Sequence, residues 1–245
     1  MIASTPSSRK RILLVRDRDF IIHVHQLAEL LAAHGHTLEI LHTSNGEPEP
    51  LYAALIADLK RLHVVFHHIK ELTSGLEKRL VALAATLGLV TRRGVISPHK
   101  IRAARVALTG REPYDLVIAC DPAALDLASL LFPRRLGTIV DFSLEVGDES
   151  HPYFQANRVE RAFRYRERAL LPKIGALMIQ DRFRAQVLLR HLAHPEQVKT
   201  IDFPVVMNGP AVPRRRQPPP CRVLFFGGLW SEELLHELEL SLIHI

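Results

Sequence analysis

Along this chain, short apolar runs alternate with longer stretches in which apolar residues recur every three or four positions. The short runs cover residues 12–15, 38–41, 64–66, 116–119, 138–140 and 177–179. They are continuous rather than alternating, as expected of strands covered on both faces. Between the first two, Val24, Leu27, Ala28 and Leu31 share one helical face, and Gly35 supplies the stop. A second helix is predicted over 50–60, with Pro50 tolerated in its first turn. Helical pattern follows Glu71, breaks around 92–98 and resumes to Leu108. Asp121-Pro122 is expected to cap a helix reaching Leu131, and Pro133 to end it. Residues 157–170 form an arginine-decorated helix up to Pro172, and Asp181 opens another reaching His191. This alternation predicts an α/β fold, a Rossmann-like doubly wound parallel sheet.

The pattern changes after residue 208. A Pro- and Arg-rich linker (209–220) leads into CRVLFFGGLW at 221–230, which reads as a new strand, a glycine turn and a helix starting at Ser231. The 15 residues after Trp230 are too few for a domain of ordinary size. The expectation is one domain over 1–208 and the truncated opening of a second over 221–239. The last six residues, LSLIHI at 240–245, resemble a translated sequencing-library adapter and are set outside the fold.

Composition adds a location and a partner class. Two cysteines, Cys120 and Cys221, fall in different predicted units, so no disulfide framework is expected and a reducing cytoplasm fits. The longest apolar stretch, 80–90, is too short to span a bilayer. The net charge of +6 is unevenly placed. Residues 71–111 hold eight Lys/Arg against two acids, and 151–200 hold ten against four, so both segments suit an anionic partner. Nucleic acid is not expected: Phe163 and Tyr165 stand among arginines, but helical spacing points them apart.

Open α/β sheets bind ligands at the carboxyl ends of their strands. The candidates there are residues 16–20 after the first strand, Arg16 and Asp17 among them, 43–45 after the second, Asp121 after the fourth, 141–145 after the fifth, where Glu145 stands in an acidic loop over 141–149, and 180–181 after the sixth. His23, near the start of the first helix, is a candidate base or contact. The loop after the first strand contains no glycine, which argues against a dinucleotide loop, and no phosphate-loop motif is present. Among the fourteen histidines, His23-x-His25, His34-x-His36 and His67-His68 lack the i, i+4 spacing of H-E-x-x-H, no cysteine pair accompanies them, and no metal is expected. No G-x-S-x-G elbow occurs.

Several stretches, taken together, resemble GT-B fold glycosyltransferases of the family-4 type. LLAAHGHTLEIL at 30–41 is similar to their first helix and second strand, and YDLVIACDP at 114–122 to a later strand. ERALL at 167–171, IGALMIQ at 174–180 and VKTIDFPVVMN at 198–208 resemble the close of the first domain. VLFFGGLW at 223–230 resembles the opening of the second. The resemblance implies the N-terminal, acceptor-side half of an enzyme moving a sugar from a nucleotide-sugar to a polysaccharide or glycolipid acceptor. The nucleotide-sugar enters as substrate, without a cofactor, and Gly227 and Gly228 are the donor-binding positions implied. Peripheral contact with an anionic membrane presenting a lipid-linked acceptor follows from the basic segments. Two departures stand out. The glycine pair usual after the first strand is replaced by residues 16–20, and a usual His-Glu appears as Leu144-Glu145. Most of the donor domain lies beyond the sequence, so the 245 residues alone are expected to be inactive. A GT-B sugar-nucleotide epimerase fragment and a non-catalytic Rossmann-like binding module are the alternatives.

Overall fold

The computed structural model describes residues 9–17, 22–44, 50–70, 79, 83, 94–111, 113–143 and 157–203. All lie in the first of two compact units, Met1–Val205. Seven strands run in chain order: β1 (Arg11–Asp17), β2 (Thr37–Ser44), β3 (Val65–Lys70), β4 (Leu116–Cys120), β5 (Ile139–Ser143), β6 (Ala176–Ile179) and β7 (Thr200–Asp202). They form one sheet in the order β3-β2-β1-β4-β5-β6-β7 with every pairing parallel. The chain steps outward from β1 to β3, returns beside β1 with β4, and steps outward the other way. The order therefore reverses between β1 and β4, the position at which doubly wound sheets open a crevice.

Among the described residues, six helices cover the two faces: α1 (Ile22–Ala33), α2 (Pro50–Arg61), α3 (Pro98–Ala107), α4 (Pro122–Leu131), α5 (Arg158–Leu170) and α6 (Arg182–Leu189). Because side chains alternate along a strand, each central strand serves both cores. Ile12 and Leu14 of β1 pack with Val24, Leu27 and Ala28 of α1 and Leu59 of α2. Leu13 and Val15 face Ala124, Leu125 and Ala128 of α4, Ala104 of α3 and Phe163 of α5. A smaller cluster seats Ala185, Leu188 and Leu189 of α6 on Leu177 and Ile179. Burying a side chain such as Leu13 contributes roughly 1.5–3 kcal/mol, and both β1 faces are sealed.

Helix ends follow local chemistry. Ser97 and Asn157 cap α3 and α5 by accepting from the backbone N–H of Lys100 and Glu160. Asp181 accepts from Phe183 and Arg184 at the start of α6. Gly35 ends α1 with φ +81°, a left-handed conformation that glycine adopts without a Cβ clash. Gly175 is required for closeness instead: a Cβ there would stand 2.4 Å from the carbonyl oxygen of Gly137.

Six strands fall on the runs read from sequence, with longer bounds. β7 is additional, a three-residue edge strand with every residue exposed and too short to show a pattern. Among the described residues, no helix is long and apolar enough to cross a membrane.

Candidate functional site

β1 delivers its last two side chains to opposite sides of the sheet at the switch point. Asp17 turns toward α3 and is buried. One of its carboxylate oxygens accepts hydrogen bonds from Thr43 Oγ1 on β2 and from Lys100 Nζ on α3. The Lys100 side chain is only 4% exposed, so this is an ion pair held out of water. Desolvation makes such a pair weak evidence for stability, whereas removing one partner strands a buried charge.

Arg16 reaches across to β4. Its Nη1 pairs with the carboxylate of Asp121 and donates to the carbonyl of Cys120 at 3.3 Å. Asp121 was expected to cap the helix that follows. Its side chain makes no capping bond, and its backbone adopts φ 81°, ψ 165°. The cause is local. Its N–H continues the β5 ladder by donating to the Phe142 carbonyl at 3.1 Å, while its own carbonyl already accepts from Leu125 at 2.9 Å. Pro122 meanwhile disfavours the helical region for the residue before it. Strand must become helix within one residue, at about 1–3 kcal/mol for a non-glycine. Strain of this kind collects at functional sites.

Between these pairs lies Cys120, a fully buried free cysteine. Burial pushes its thiol up to about 12, against the pull of Arg16 and with a further push from Asp141. It is a packing group rather than a nucleophile.

On the α1 side, His23 stands in the first helical turn, half-buried. Its Nδ1 is out of solvent and has no hydrogen-bond partner. No bond joins it to the Arg16–Asp121 pair among the described residues. Deeper along the same sheet edge, the His42 ring stacks on His68 at 5.4 Å, and His68 Nε2 lies 2.8 Å from Ser44 Oγ. No group of three or more potential metal ligands occurs among the described residues. Glu145, Gly227 and Gly228 lie outside the described residues.

The structure thus brings Arg16, Asp17 and Asp121 together at the switch point and adds two partners, Lys100 and Thr43. Thr43 belongs to the strand-end candidates read from the sequence, whereas Lys100 was not among them. The available signal was a lysine on the apolar side of its helix, four residues before the buried Ala104. Chemically, the described part of the assembly is a floor offering the oriented guanidinium and carboxylate of the Arg16–Asp121 pair, beside the buried Asp17–Lys100 pair. Such groups can hydrogen-bond a polyhydroxylated ligand without demanding a net charge on it.

No family model and no curated protein matches the sequence. Solved structures that match include Anabaena Alr3699/HepE in complex with UDP and glucose, at 13% identity and a TM-score of 0.45. Arabidopsis thaliana UGT89C1 complexed with UDP-L-rhamnose matches at 12% and 0.46. A UDP-glucosyltransferase from Polygonum tinctorium matches at 13% and 0.45. The matches cover 79%, 97% and 95% of this chain. The chain spans only 44%, 63% and 57% of those three proteins. Proteins of other chemistry also match. At these scores the likenesses carry no chemistry, and the parallel sheet and its strand order define the fold on their own.

Proposed function

We propose that this chain forms the acceptor-side half of a glycosyltransferase that moves a sugar from a nucleotide-sugar donor to a polysaccharide or glycolipid acceptor. The transferase class rests on the ordered GT-B-like motifs, which fall on α1–β2, β4 and α5 through β7. The choice of half rests on one observation: among the described residues, each cation at the switch point already has a carboxylate partner. Arg16 is paired with Asp121 and Lys100 with Asp17. A donor diphosphate needs surplus positive charge, whereas acceptor hydroxyls need oriented donors and acceptors. The floor suits the second. Donor phosphates are then held by residues beyond this half, and the 245 residues alone do not turn over, because both walls of the cleft supply the orientation that lowers the barrier.

Within this reading we place the membrane contact on α3. Arg164 and Arg166 of α5 are buried and paired with Glu167 and Asp126. On α3, by contrast, Arg102, Arg105 and Val106 are exposed and no acid interrupts the helix. The acceptor end of the reading is a lipid-linked glycan at an anionic surface, met through α3.

The test is nucleotide release. The reading frame extended past residue 239 is expressed and assayed against a panel of nucleotide-sugars with glycan and glycolipid acceptors, beside the 245-residue chain. Acceptor-dependent release by the extended protein alone is the expected result. No release from any donor overturns the transferase assignment. Turnover by the 245-residue chain overturns the half-site assignment.

A further inference from the structure

Asp141 is the most anomalous buried group in the chain. It sits in the middle of β5 with no exposed surface, and neither carboxylate oxygen receives a hydrogen bond from a protein donor. The group within reach is another acid, Glu167 of α5, also fully buried. Glu167 already takes the local cation: Arg164 Nη1 lies 3.1 Å and 3.4 Å from its two oxygens, with Ser143 Oγ 3.5 Å away. Two carboxyl groups and one guanidinium are therefore sealed between β5 and α5.

Among the described residues, the other neighbours do not correct the balance. From β6, Leu177 and Ile179 are apolar. From β4, Cys120 brings a buried thiol. Asp126 of α4 and Arg166 of α5 bind each other, as do Arg16 of β1 and Asp121 before α4. An unmatched ionised carboxylate in such surroundings costs several kcal/mol, and a group so placed takes up a proton instead.

We propose that Asp141 keeps its proton in the folded chain and donates it to Glu167, so that Asp141, Glu167 and Arg164 form a neutral latch seating α5 on the sheet, released when that proton is lost. A carboxylic acid is the only form in which Asp141 can bond to an acceptor. Burial raises the Asp141 carboxyl well above its ordinary 3.8, the Glu167 charge adds to this, and Arg164 opposes it. The folded chain then holds a proton that the unfolded chain has released. Stability is greatest below the unfolded value and falls as pH climbs toward the folded one, by at most about tenfold in the folding constant per pH unit.

The latch is tested by urea unfolding from mildly acidic to mildly alkaline pH, together with infrared detection of protonated carboxyl groups. Asp141→Asn keeps a donor toward Glu167 and carries no titrating proton. It is expected to fold, to lose the wild-type decline with pH, and to lack one protonated-carboxyl band present at neutral pH. Glu167→Gln gives Asp141 a donor and frees Arg164 for it, so the band disappears there too. If Asp141→Asn does not fold, the band in wild type and its loss in Glu167→Gln decide. A wild type without that band, or an Asp141→Asn variant declining as the wild type does, overturns the proposal.

Discussion

Arg166 crosses from α5 to α4 and places its Nε 2.9 Å from Oδ1 of Asp126, with the carboxylate fully buried. The other oxygen of Asp126 accepts from the backbone N–H groups of Val95 and Ile96. One carboxylate thus ties α4 to α5 and to the segment that leads into α3. Asp126→Ala takes the carboxylate from the buried Arg166 guanidinium, which keeps Ser129 Oγ at 3.5 Å, and from two buried N–H groups, and is expected to cost about 3–5 kcal/mol in urea unfolding. Replacing both partners, Asp126→Leu with Arg166→Met, is expected to cost less than that single change. A double variant at least as unstable would show that the pair does more than neutralise itself.

The φ of 81° at Asp121 predicts a contrast between two substitutions that both delete its carboxylate. Glycine relaxes the backbone and alanine does not. Asp121→Gly is expected to be more stable than Asp121→Ala by about 1 kcal/mol, beyond the usual entropic handicap of glycine. Equal unfolding midpoints would mean that the backbone is unstrained there.

Glu39 predicts an acid limb of stability. Burial pushes its carboxyl upward, but hydrogen bonds from Arg11, His67 and Tyr114 outweigh that and hold it below the ordinary 4.5. With the folded value depressed, the contribution is complete above 4.5 and is lost as pH falls through the folded value. Glu39→Gln should flatten stability against pH below that ordinary value while leaving neutral behaviour apart from a constant offset. The measurement is thermal unfolding across acidic buffers, and an unchanged acid limb counts against the network.

Cys120 should resist alkylation in the folded chain, since burial raises its thiol to about 12 and seals it from solvent. In a Cys221→Ser background, iodoacetamide labelling read by mass spectrometry is expected to be negligible in native buffer and complete in urea. Rapid native labelling would show that the β4 end opens readily.

For the membrane contact, Arg102→Glu with Arg105→Glu reverses four charge units on the exposed side of α3. Co-sedimentation with vesicles rich in phosphatidylglycerol should fall at least several-fold, whereas added salt should already weaken the wild type. Binding that ignores both lipid charge and these substitutions removes α3 from the reading.

Most of the fold was legible because buried parallel strands write themselves as continuous apolar runs. The runs around Leu13, Ile40 and Ile118 could hardly be anything else once helical spacing separated them. The site was legible only where position along one strand sufficed, as for Arg16, Asp17 and Asp121. Thr43 was placed by its strand end as well, but Lys100 comes from a helix, and no local pattern announces a pairing across 83 residues. Asp121 looked like a cap because Asp before Pro usually is one; its strand-end geometry, set by the Phe142 carbonyl, is a tertiary fact. The arginines of α5 looked like a basic surface because sequence does not show which of them meet buried acids. Asp141 looked like the start of an acidic loop because the apolar run ends at Val140, whereas β5 carries on through it to Ser143 and buries it.

The sheet order also sets a timetable. β1 lies at the centre, but its neighbour β4 is made about a hundred residues later, and Arg16 waits that long for the Cys120 carbonyl. While the chain is being synthesised, β1 with β2 and β3 therefore presents an open edge carrying Leu13, Leu14 and Val15. Such an edge is a template for unwanted pairing until β4 arrives to close it. The floor of the site is complete only from that moment, so the Arg16–Asp121 pair across β1 and the end of β4 marks the chains that have reached their native topology.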